Sequence, residues 1–200
     1  VIGLLCKQPE PKIDRLVSIL AKVIGFSWQF AVDANIDSVD ALIVVDPSDD
    51  RTWLPHIPTI RVYRLGVPSA SESLVFQDSD DLPKIFRDLS LPGCGIDLNG
   101  AEQALAGKAI AKSGGRTVWT TRTRDGVRTD SYITPSEWIF QDESLFEQFT
   151  ARKFFGLLPL LEWLRAVCGY YEWSHPPLRA NLMFDDPNLH APSYGYVRFS

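Results

Sequence analysis

Ala41-Leu42-Ile43-Val44-Val45 is the stretch that decides the fold. Five consecutive apolar residues, most of them β-branched, have no polar alternation, so they suit a strand covered on both faces rather than one with a wet side. Upstream, Val1-Ile2-Gly3-Leu4-Leu5-Cys6 is a second short apolar run. Between the two, Ile13, Leu16, Val17, Leu20, Val23 and Ile24 recur at helical spacing, and Gly25 fits the residue just past a helix end. Phe26, Trp28, Phe30 and Val32 then alternate with the period of a strand. Downstream, 59–65 and 74–76 read as strands, and Leu82, Ile85, Phe86 and Leu89 as one to three helical turns. This order predicts a small layered α/β domain over about residues 1–90, with a parallel or mixed sheet and flanking helices.

Leu91-Pro92-Gly93-Cys94-Gly95 punctuates the chain. Asn99 and Glu102 have the spacing of a capping box, which predicts a helix through Ala101, Ala104, Leu105 and Ile110, ended by Ser113-Gly114-Gly115. Asp125-Gly126 between the runs 116–123 and 127–133 predicts a β-hairpin. Ser144 with Glu147 opens a long apolar helical pattern reaching Val167, which Pro159 should kink or split. These elements make up a second region, 91–176. A third begins at 177.

The whole chain has 200 residues and a formal charge of −5, which disfavours non-specific attraction to nucleic acid or anionic membrane. No apolar run approaches the roughly 18 residues of a membrane span. Cys6, Cys94 and Cys168 are too far apart for a thiolate zinc site and too few to pair completely. Free thiols point to a reducing, cytoplasmic setting. One basic stretch runs against the overall charge: Lys108, Lys112, Arg116, Arg122, Arg124 and Arg128 surround Trp119, a pattern that suits either a solvated hairpin face or a polyanion. Among candidate sites, Asp46 follows the apolar pentad and would lie at the carboxyl edge of the sheet, where parallel α/β folds bind ligands. Cys94 between two glycines could sit on a tight elbow as a nucleophile, or be structural. Cys6 lacks the arginine of a Cys-x5-Arg phosphate loop, since Lys12 stands there.

The most concentrated chemistry lies near the end. Leu178-Arg179-Ala180-Asn181-Leu182-Met183-Phe184 leads directly into Asp185-Asp186, with His190 four residues on. Neighbouring extended residues point to opposite sides, so one carboxylate could face a metal and the other a water. Asp186 and His190 suit zinc or a similar divalent ion, with His175 as a source of a further ligand. Asp-Asp-Pro-Asn is equally a good turn, in which the carboxylates cap backbone amides.

Leu182-Met183-Phe184-Asp185-Asp186 resembles the first motif of the polysaccharide deacetylase superfamily. The longer stretch 179–196 resembles an uncharacterised bacterial branch that carries extra material before its barrel. The resemblance implies a distorted (β/α) barrel whose first strand is 178–184, with Asp185 as catalytic base and Asp186 as a ligand of a divalent metal, usually zinc. It also implies hydrolysis of an acetyl group on a carbohydrate. That family has Gly where Pro187 stands, and takes two more metal ligands from a His-x-x-x-His motif well downstream. The expectation is therefore an amino-terminal portion of such a hydrolase, inactive without a missing catalytic region. The alternative is a non-catalytic α/β accessory or binding domain.

Overall fold

The apolar pentad lies inside a ten-stranded mixed sheet. The computed structural model describes residues 1–6, 10–31, 36–47, 56–98, 100, 105–136, 150 and 153–169, all within one compact unit spanning 1–170. In chain order the strands are β1 (Ile2–Cys6), β2 (Trp28–Phe30), β3 (Ala41–Val45), β4 (Thr59–Ser69), β5 (Leu74–Phe76), β6 (Ser90–Leu91), β7 (Gly95–Asp97), β8 (Lys108–Ser113), β9 (Arg116–Arg124) and β10 (Val127–Pro135). The helices are α1 (Pro11–Ile24) and α2 (Leu158–Cys168).

The sheet order is β2-β1-β3-β4-β10-β9-β8-β5-β6, with β7 pairing β4 at its far end. From β2 to β10 every neighbour pair is parallel, and from β10 to β6 every pair is antiparallel. The molecule is thus α/β at one side and a β-meander at the other, joined where β4 meets β10.

All five residues of β3 are buried, as a strand covered on both faces requires. Ile13, Leu16, Val17 and Leu20 of α1 cover one face, packing with Ile2, Leu4, Ile43 and Val45. The opposite face carries a smaller cluster of Ala31, Ile36, Val39, Leu42, Val44 and Ile57. Ile36 lies between β2 and β3, and Ile57 between β3 and β4. α1, from the β1–β2 connection, thus covers one face, while Ile36 and Ile57 pack on the other.

Local signals hold where they are strong. Gly25 caps α1 in the left-handed region at φ 89°. Asp125 and Gly126 both have positive φ and join β9 to β10 in a two-residue hairpin. The apolar carboxyl-terminal segment is broken at its proline: a 3₁₀ turn at Phe154–Gly156 is followed by α2, with Pro159 in its first turn. Tyr132 on β10 donates a 3.1 Å hydrogen bond to the Gly156 carbonyl, tying that turn to the sheet.

The helix expected through Ile110 is corrected. Ile110 is not helical: it lies in β8, fully buried, in a strand held on both edges by β5 and β9. Non-local pairing there outweighs a short helical pattern, and residues 101–104 lie outside the described set. Accordingly Gly114-Gly115 turns β8 into β9 and ends no helix. The pattern around 82–89 yields only one 3₁₀ turn, Lys84–Phe86, between Pro83 and the left-handed Asp88.

Gly66 shows why β4 can extend past the parallel sheet. A Cβ there would lie 2.1 Å from Ile96 Cγ2, so only glycine lets β7 cross β4 at this point.

Candidate functional site

The parallel half sets out its carboxyl ends in one row. β1 ends at Cys6 beside Val45 of β3, and Val45 lies beside Val62 of β4. β1 is followed in sequence by β2 on one side of it and has β3 on its other side, with α1 on one face of the sheet and Ile57 on the opposite face. This is a topological switch point, the place where open α/β sheets leave a crevice.

Three charged side chains meet there. Arg64, on β4, donates from Nη1 and Nη2 to Glu10 Oε2 and Oε1 at 2.7 and 2.6 Å. Its Nε donates to Asp46 Oδ2 at 2.7 Å, and Nη2 reaches the same oxygen. Asp46 Oδ1 also accepts from the Arg64 backbone N–H at 3.0 Å. Glu10 precedes the first turn of α1, and Asp46 follows β3 with φ 47°. The triad ties helix, β3 and β4 together. These bonds, led by Glu10, raise the Arg64 pKa further above its already high value. Asp46, the carboxyl-edge residue singled out in the sequence, therefore sits in a bridged cluster of net charge −1. Arg64 carried no signal of its own, because arginines in a strand normally mark a solvent face.

Cys6 lies beside this cluster. Burial, then the charge of Glu10, pushes its thiol up, so it is a poor nucleophile at neutral pH. Cys94, between Gly93 at φ 68° and the first residue of β7, packs half-buried against the main core.

A second ionic group lies within the meander. Asp130 of β10 is completely buried. Its Oδ1 accepts from Thr121 Oγ1 and Arg128 Nε, both at 2.8 Å, and its Oδ2 from Arg128 Nη2 at 2.8 Å and Trp119 Nε1 at 3.2 Å. Burial works against the Arg128 charge, but the bonds and charge of Asp130 outweigh it and raise its pKa. Trp119 is thus buried and bonded, and offers no stacking surface among the basic residues around it. Lys108 and Arg128, two of those six, are held by Asp81 and Asp130.

Lys108 also approaches Ser79: its Nζ donates to Ser79 Oγ at 2.9 Å. A serine–lysine pair can act as nucleophile and base only if the lysine is neutral and the serine accessible. Here Ser79 is 2% exposed and Asp81 holds the ammonium at 3.3 Å, so the pair secures a loop to β8. Burial opposes the Asp81 charge, but Ser79, Lys108 and Arg128 outweigh it and lower its pKa.

Asp185, Asp186, His175 and His190 lie outside the described residues. Among the described residues no group of three or more His, Cys, Asp or Glu side chains could hold a metal ion. None of their helices is long and apolar enough to cross a membrane. Comparison with protein-family models, with curated proteins and with solved structures finds no match.

Proposed function

We propose that the chain belongs to a metal-dependent, polysaccharide-deacetylase-like hydrolase that removes acetyl groups from a carbohydrate. In this reading residues 1–170 form an accessory α/β body, and the chemistry is assigned to the region beginning near residue 177. The observation that carries it is the apolar run 178–184 leading into Asp185-Asp186, with His190 following. The body adds indirect support, since its most reactive-looking groups are engaged in bridges: Asp46 with Arg64, Asp130 with Arg128, and Lys108 with Asp81. Asp186 and His190 would supply an oxygen and a nitrogen to a divalent ion, zinc by ligand type. A bound ion of that kind polarises an acyl oxygen and acidifies water. Asp185 would accept the proton from the attacking water at a carboxylate oxygen. The acyl carbon of the acetyl group would be the centre attacked. The partners are the carbohydrate and the remaining catalytic region. The free thiols and acidic charge favour a cytoplasmic location.

The test uses the full gene product. Zinc content and acetate release from an acetylated chitooligosaccharide are measured for wild type, Asp185→Asn and Asp186→Ala. Loss of release in both variants, with loss of zinc only in Asp186→Ala, is expected. A full-length protein that binds no metal and releases no acetate would leave residues 1–170 as a non-catalytic binding domain.

A further inference from the structure

We draw no further inference here: the strongest candidate, the Glu10–Asp46–Arg64 cluster at the carboxyl edge of the parallel sheet, bridges its own charges, and nothing among the described residues around it points to a ligand.

Discussion

The two arginine–aspartate groups of this molecule use the same chemistry in opposite settings. Asp130 with Arg128 lies in the antiparallel half, its carboxylate closed to water and holding four donors. Asp46, bonded to Arg64, lies at the carboxyl edge of the parallel half and is about one-third exposed. A buried carboxylate survives only if nearly every lone pair is filled, because its desolvation cost is several kcal/mol. An exposed one can remain partly unfilled, since water completes it. The first arrangement is closed by its protein donors, and the second is completed in part by solvent.

The largest expected effect comes from breaking the buried group. Asp130→Ala strands the Arg128 charge together with Trp119 Nε1 and the Thr121 hydroxyl, and should cost about 3–5 kcal/mol. The urea midpoint of the full chain measures it. If the loss is no greater than that of an exposed pair, the contrast between the two halves fails.

Tyr132 extends the same logic to pH. Burial raises its phenol well above the ordinary 10.0. The folded state thus favours the protonated form, and its contribution is complete below about pH 10, where the unfolded tyrosine is also neutral. As pH rises beyond that, the unfolded side chain ionises first, and the contribution is lost up to the folded value. Tyr132→Phe should remove this alkaline loss, while costing about 1 kcal/mol at neutral pH for the missing bond to Gly156. Thermal midpoints at neutral and alkaline pH separate the two effects. An alkaline fall identical to wild type would show that the hydroxyl is not held in the buried, neutral state.

How much of this could be read from the amino acids alone follows from the range of each interaction. The pentad 41–45, the cap at Gly25 and the turn at Asp125-Gly126 are set by immediate neighbours, and each is legible. Ile110 is not, because a short run of alanines with one isoleucine fits a helix until β5 and β9 close on it. Arg64 and Asp130 are missed for one reason: a charged residue in an alternating strand reads as solvent-facing. Only the β4–β10 pairing, between residues about 70 apart, and the closure over β9 and β10 turn them inward. Asp46 stood out because it ends a strand, but its partners Glu10 and Arg64 come from two other elements. The Asp185-Asp186 pair is the reverse case, conspicuous in sequence and outside the described residues.

A smaller effect is expected at the exposed bridge. Asp46→Asn keeps a residue that tolerates the left-handed backbone and removes one of the two carboxylates on Arg64. Glu10 remains, and water can take the freed donors, so the loss should be about 1 kcal/mol or less and should shrink further in high salt. Urea midpoints at low and high ionic strength measure it. A salt-independent loss equal to that of Asp130→Ala would mean that the carboxyl edge holds the fold together no less than the hairpin does.

Thr134→Val is the smallest change and has the opposite sign. Its hydroxyl has no partner in a fully buried position. Replacing it by a methyl of similar shape removes an unmet polar group without opening a cavity. Where every other substitution destabilises, this one should leave the thermal midpoint unchanged or raise it slightly. A clear drop in the midpoint would instead place a structural hydrogen bond at Thr134 Oγ1, and the carboxyl edge would then resemble the filled site at Asp130.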